Sequence, residues 1–257
     1  MALMLRSGAV FLHVPKTGGS WVTRVLEEQG LVARRFEHIH AGAWQVARFL
    51  HPARALRDVV RVRVASMMPL EWKQRIRRSL RLGGRGGSVP AAPSPLAVPK
   101  APGKPFVFCF VRHPLRWYES YWKYQMKMGW IEYGTPGDPF DWHPWAILRG
   151  IRSDDFNTFV AELLEREPGY VSRMYGWYVD GFVDFVGRQE RLAEDLVEAL
   201  RRAGERFDVE AIRGAPRVNV SLAPLQWDPV LRREALRLEY AALRRFGYHD
   251  TETWETP

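Results

Sequence analysis

Pro15-Lys16-Thr17-Gly18-Gly19-Ser20 follows directly on the apolar run Ala9-Val10-Phe11-Leu12-His13-Val14 and precedes Ser20 to Glu28, whose apolar spacing predicts a helix closed by Gly30. A glycine-rich turn at a helix N-terminus presents backbone N–H groups and the positive end of the helix dipole to one point, which is the chemistry of anion binding. Gly18 and Gly19 allow close approach of the main chain to an oxyanion, Lys16 adds a mobile positive charge, and Thr17 and Ser20 add hydroxyls. The magnesium-dependent nucleotidase loop reads Gly-x-x-x-x-Gly-Lys-Ser/Thr; here the lysine comes before the glycines. A Gly-Gly connection would also serve as a plain tight turn, so the loop alone leaves both readings open. A second segment narrows them. Phe106-Val107-Phe108-Cys109-Phe110-Val111 reads as a strand buried on both faces, and Arg112-His113-Pro114 ends it at the start of a helix. Arg116 and Ser120 share one face of that helix, with Arg112 just ahead of it, so guanidinium and hydroxyl can converge on one phosphate. Taken singly, an arginine could pair with acidic neighbours and a serine could face solvent; the combination after a buried strand favours a second anion clamp. The two segments suit one nucleotide with phosphates at both ends.

The elements that must position these groups alternate strand and helix. The motifs predict an α/β fold: a three-layer, P-loop-like domain with a central parallel sheet, helices on both sides, and the ligand outside the carboxyl ends of the strands. With 257 residues, 46% of them hydrophobic, the chain can form a single domain over 1–257. A second helix is expected around Ala43 to Leu50. An insertion at about 52–104 interrupts the pattern: Arg54 to Leu82 is crowded with basic residues at helical spacings, and Gly83 to Lys104 is rich in Gly, Pro, Ser and Ala. The basic part reads as a solvated helical cover or as an amphipathic contact for a membrane surface or polyanion. Downstream, Phe156, Phe159, Val160, Leu163 and Leu164 predict one helix face, and Leu231, Ala235, Leu238 and Ala242 another. Cys109 is the one cysteine, which excludes an intrachain disulfide. The net charge of +9 suits an anionic ligand, and equally nucleic acid or a membrane surface.

The loop and the clamp resemble those of the sulfotransferases that use 3′-phosphoadenosine 5′-phosphosulfate (PAPS), in particular the carbohydrate sulfotransferases of the heparan sulfate 2-O type and their bacterial relatives. Phe11 to Trp21 is similar to the family's 5′-phosphosulfate loop, and Val111 to Tyr121 to its 3′-phosphate motif. The resemblance implies that Lys16 touches the phosphosulfate, that Thr17, Gly18, Gly19, Ser20 and Trp21 form its cradle, and that Arg112 with Ser120 grips the 3′-phosphate. Phe185-Val186-Gly187-Arg188-Gln189-Glu190 is a weaker third match, read as a strand leading into a helix carrying Leu192, Leu196, Leu200 and Ala203. Arg217-Val218-Asn219-Val220-Ser221 resembles the late loop that closes near the nucleotide, which implies contacts from Arg217 and Asn219.

Sulfuryl transfer needs an acceptor hydroxyl in line with the leaving phosphate, a base for its proton, and positive charge on the bridging oxygen. Lys16 is the candidate for that charge. If Phe36 to Ala41 is extended, His38 and His40 lie on one face and either could be the base. The placing of a histidine in relatives puts His40 first and His38 second; a surface or cap role is the alternative for each. Glu37 and Glu190 remain possible bases or orienters, while His13 and His113, beside the phosphate segments, suit structural hydrogen bonds. Trp117, Trp122, Trp130, Trp142 and Trp145 cluster after the clamp, where flat rings could stack on a sugar or on adenine or fill the core.

The expected activity is therefore transfer of a sulfuryl group from PAPS to a hydroxyl, most readily on a glycan, releasing 3′-phosphoadenosine 5′-phosphate (PAP), with no metal and no nucleic-acid partner. A P-loop phosphotransferase or kinase and a noncatalytic nucleotide- or polyanion-binding protein are the rivals. Met1 to Val14 offers too little apolar length for a signal peptide or a span, so a cytoplasmic, bacterial-type protein is expected.

Overall fold

The computed structural model describes residues 2–36, 105–135, 143–179, 183–216 and 225–248, all within one compact unit of the chain. The insertion at 52–104 and the helix expected around Ala43 lie outside them. Strands β1 (Leu3–Leu5), β2 (Val10–Leu12), β3 (Val32–Arg35), β4 (Val107–Val111) and β5 (Phe185–Arg188) form one sheet in the order β3-β1-β2-β4-β5. β2, β4 and β5 run parallel, with Val10 beside Val107 and Val111 beside Arg188. β1 is antiparallel to both of its neighbours, so the sheet is mixed where the motifs predict a parallel one. The cause is a tight turn at Arg6-Ser7-Gly8. Gly8 has φ 82° and donates to the Leu5 carbonyl at 3.0 Å, while the Leu5 N–H reaches the Ala9 carbonyl at 2.8 Å. A three-residue strand ahead of such a turn carries too little periodicity to be seen in the sequence.

The helices among the described residues are α1 (Gly19–Glu28), α2 (Pro114–Met128), α3 (Phe156–Arg166), α4 (Tyr170–Val179), α5 (Leu192–Ala203), α6 (Val209–Gly214), α7 (Pro229–Leu238) and α8 (Tyr240–Arg245). One sheet face buries Leu3, Leu5, Phe11, Phe108 and Phe110 against Trp21, Val22, Val25 and Leu26 of α1, Leu196 and Leu200 of α5, and Ile212 of α6. α4 packs on β4, and Tyr175 and Tyr178 of α4 are fully buried. β4 is buried along its whole length, as its continuous apolar run requires. All five apolar positions expected on one face of α3 are buried. None of the described helices is long and apolar enough to cross a membrane.

The face expected from Leu231 to Ala242 is divided between α7 and α8, because the chain breaks at Glu239. That residue is fully buried, and its carboxylate accepts from the Tyr118 hydroxyl at 2.6 Å, from the Val171 and Ser172 N–H groups at 3.0 and 2.7 Å, and from the Ser172 hydroxyl at 2.6 Å. It thus satisfies first-turn donors of α4 and complements the positive end of that helix.

Candidate functional site

The loop after β2 is built on two left-handed residues. Lys16 has φ 64° and Gly18 has φ 90°, a conformation that glycine adopts freely but lysine does not. A non-glycine residue held there stores roughly 1–3 kcal/mol, which the surrounding contacts must offset. Thr17 is buried and its hydroxyl donates to the Val14 carbonyl at 2.9 Å, while the indole of Trp117 donates to the Pro15 carbonyl at 3.0 Å. Gly19 must be glycine for space: a Cβ there would lie 2.0 Å from the His13 ring. Ser20, in the first turn of α1, is exposed.

The second junction follows β4. Tyr175 fixes its backbone, donating its hydroxyl to the Arg112 carbonyl at 2.7 Å and accepting from the Arg112 N–H at 3.1 Å. His113 caps α2 by accepting the Leu115 N–H on Nδ1 at 3.2 Å, with Pro114 in the first turn. Burial, reinforced by Arg116, Arg232 and Arg112, pulls the His113 pKa down to about 4, so the ring is neutral at pH 7. His13 is held well below the usual range, chiefly by burial. The cap is the kind of structural hydrogen bond expected of His113, while the His13 ring packs beside Phe11 and over Gly19. Glu190 is likewise engaged: its carboxylate accepts from the His113 N–H at 2.9 Å and from the Tyr248 hydroxyl at 2.8 Å.

β2 and β4 are parallel neighbours, so the loop and the clamp emerge at the same end of the sheet. Lys16 and Arg112 are close enough for each other's charge to matter. The Lys16 pKa is lowered to about 8 by burial first, then by Arg112 and Lys127. Burial likewise lowers that of Arg112, against the opposing pull of Tyr175, Glu190 and Glu119. Arg112 Nε is buried with no hydrogen-bond acceptor, and neither cation makes an ion pair with a carboxylate among the described residues. Two partly buried positive charges, neither in an ion pair among the described residues and only Arg112 feeling nearby carboxylates, leave a surplus of positive charge that a bound anion would fill. Such a place, outside the carboxyl ends of parallel strands, is where open α/β sheets bind ligands. The third segment arrives there too: β5 leads into α5, and a Cβ at Gly18 would lie 2.6 Å from Leu192 and 3.4 Å from Gln189.

Several expected roles change. Thr17 gives its hydroxyl to Val14, so only its backbone N–H remains for a ligand. The Trp21 side chain belongs to the core, with its indole directed to the Ala215 carbonyl at 3.4 Å; it anchors the loop and does not face the site. Arg116 is exposed and pairs with both oxygens of Glu119 at 3.1 Å, so Arg112 alone of the two faces the anion site. Trp117 is fully buried, Trp122 donates to the Ser153 carbonyl at 2.9 Å, and Trp145 packs among Tyr121, Tyr124 and Tyr133. His38, His40, Glu37, Trp142, Arg217 and Asn219 lie outside the described residues.

Tyr124 lies against Lys16, and the charge of the exposed Lys127 reaches it, although the motifs did not single either out. Lys16 Nζ lies 4.2 Å from the Tyr124 ring centroid. The available signal was spacing: Arg112, Arg116, Ser120 and Tyr124 recur every four residues, one stripe of α2 and its approach. Comparison of the chain with protein-family models, with curated proteins and with solved structures gives no match.

Proposed function

We propose that the protein is a PAPS-dependent sulfotransferase of the P-loop-like, three-layer type, acting on a hydroxyl of a glycan. The observation that supports this most strongly is the pair Lys16 and Arg112, two cations that make no ion pair among the described residues and stand at the ends of adjacent parallel strands. A donor with anionic groups at both ends would satisfy both. The residues present fit it: the backbone N–H groups of the loop, Lys16 and the exposed Ser20 on the phosphosulfate side, Arg112 with its unmatched Nε and the half-buried Ser120 on the 3′-phosphate side. PAPS supplies the activated sulfuryl group. Lys16 then neutralises charge on the leaving phosphate, and the main chain at 17–20 orients it. His40, or His38 after it, is the proposed proton acceptor, with Arg217 and Asn219 closing over the nucleotide.

Two measurements test the reading together. Calorimetry should give much tighter binding of PAP than of adenosine 5′-phosphate, because a charge-assisted arginine contact contributes roughly 1.5–3 kcal/mol. A radiolabelled transfer assay should then move sulfate from PAPS to members of a glycan and phenol panel in the presence of excess chelator. Firm PAP binding with no transfer to any acceptor would make it a nucleotide-binding protein, and activity abolished by chelation and restored by magnesium would make it a kinase-like enzyme.

A further inference from the structure

The ammonium of Lys16 is partly buried and is flanked by two like charges, Arg112 at the β4–α2 junction and Lys127 on α2. Burial and repulsion both favour loss of its proton. The one attractive partner it has among the described residues is the face of Tyr124, 4.2 Å from Nζ to the ring centroid. An aromatic face stabilises a cation and not a neutral amine, so this contact works against deprotonation.

The ring is itself held by Tyr133 and Trp145, with His143 behind both. Its hydroxyl lies 2.8 Å from that of Tyr133, and Tyr133 stacks on His143 with centroids 4.7 Å apart and planes 21° apart. Trp145 closes on Tyr124 at 5.5 Å, and the Trp145 backbone N–H donates to His143 Nδ1 at 3.1 Å. His13, the remaining titratable neighbour on the loop, is neutral at pH 7. A lysine with four rotatable side-chain bonds would otherwise be free to leave the loop for solvent.

We propose that Tyr124 is a positioning residue, whose ring, braced by Tyr133, His143 and Trp145, holds the Lys16 ammonium at the anion site and keeps it charged there. The expected consequence in turnover rests on the sulfotransferase reading; the coupling between ring and ammonium does not.

The test varies the electrons of the ring and not its shape. Phenylalanine and trifluorophenylalanine are placed at position 124, with Tyr124→Leu as the variant lacking a ring. The Lys16 titration is followed by pH-dependent acetic anhydride labelling with mass spectrometry of the Lys16 peptide. Tyr124→Phe should titrate as the wild type does. The fluorinated ring should lower the midpoint, and Tyr124→Leu should lower it furthest, by roughly half to one and a half pH units. Phenylalanine and its fluorinated analogue both lack the hydroxyl bonded to Tyr133 and differ in ring electrons, so a midpoint in the fluorinated variant equal to that of Tyr124→Phe would overturn the proposal. Absence of PAP binding or of sulfate transfer would leave the labelling result standing and remove the functional reading instead.

Discussion

Arg112 and Lys16 are coupled, so a change at either should be felt at the other. On the sulfotransferase reading, Arg112→Ala would remove a charge-assisted contact to a 3′-phosphate and should weaken PAP binding about 10- to 100-fold while leaving adenosine 5′-phosphate nearly unchanged, measured by calorimetry. The same change removes one repulsive neighbour of Lys16, so the lysine pKa should rise above about 8. The sign for activity follows from the protonated form being the useful one. If the protein is the proposed sulfotransferase, the Lys16 ammonium is progressively lost above a pH of about 8 in the free protein, and kcat/KM for the donor should fall on an alkaline limb near that pH. Lys16→Arg, whose guanidinium does not titrate in this range, should abolish the limb even if its rate is lower at pH 7. An identical limb in Lys16→Arg would assign the titration to another group.

At the scale of elements, the loop depends on space as much as on charge. Gly19→Ala would bring a Cβ to 2.0 Å from the His13 ring at the end of β2, and one of them must move. Overpacking of this kind costs roughly 1–3 kcal/mol, and displacement of the loop should weaken PAP binding. Relief by His13→Ala in the double variant, read by thermal melting and calorimetry, would attribute the effect to that contact. Glu239 poses the complementary case of a satisfied buried charge. Glu239→Gln replaces one acceptor oxygen with an NH2 facing donors from Tyr118, Val171 and Ser172, so a loss of roughly 1.5–3 kcal/mol is expected in urea unfolding, with the anion site intact. These details were not legible in the sequence, whereas the units they serve were. Apolar runs ending at Pro15 and at Pro114, and Gly30 after α1, marked both strand-to-helix junctions correctly, because buried parallel strands and helix ends impose local composition. The Arg116–Glu119 pair, an i,i+3 contact on one helix, was among the readings the sequence left open, whereas the β1 pairing and the partner of Lys16 were hidden, because each depends on which distant segment meets which. Tyr124 shows the limit well: an aromatic residue on a helix reads as core until a cation is found over its face.

The whole molecule combines a strongly basic chain with neutral histidines buried beside its anion site, and this sets its response to acid. His113 has its pKa depressed from 6.5 to about 4 in the fold, mainly by burial and then by three arginines, and His13 is displaced in the same direction. Between those values the unfolded chain binds a proton at His113 that the folded chain refuses, so stability contributed by the neutral ring is complete above pH 6.5 and is lost as pH falls towards 4. For a buried ring, the interval corresponds to ~3 kcal/mol, a large part of the stability of an ordinary domain. His113→Asn separates titration from capping: asparagine is also a good N-cap and can accept the Leu115 N–H, but carries no proton-binding site in this range. Urea unfolding at pH 7 and at pH 4.5 should show a smaller drop in stability for His113→Asn than for the wild-type protein. An equal drop in both would place the acid sensitivity in His13 or in the carboxylates. The proposed ligand adds a further arm to the same experiment: if PAP binds only the folded site, it should raise the midpoint at pH 7 by mass action. At pH 4.5 it should do so only in so far as the β4–α2 junction, which His113 caps and Arg112 begins, has survived protonation of the ring.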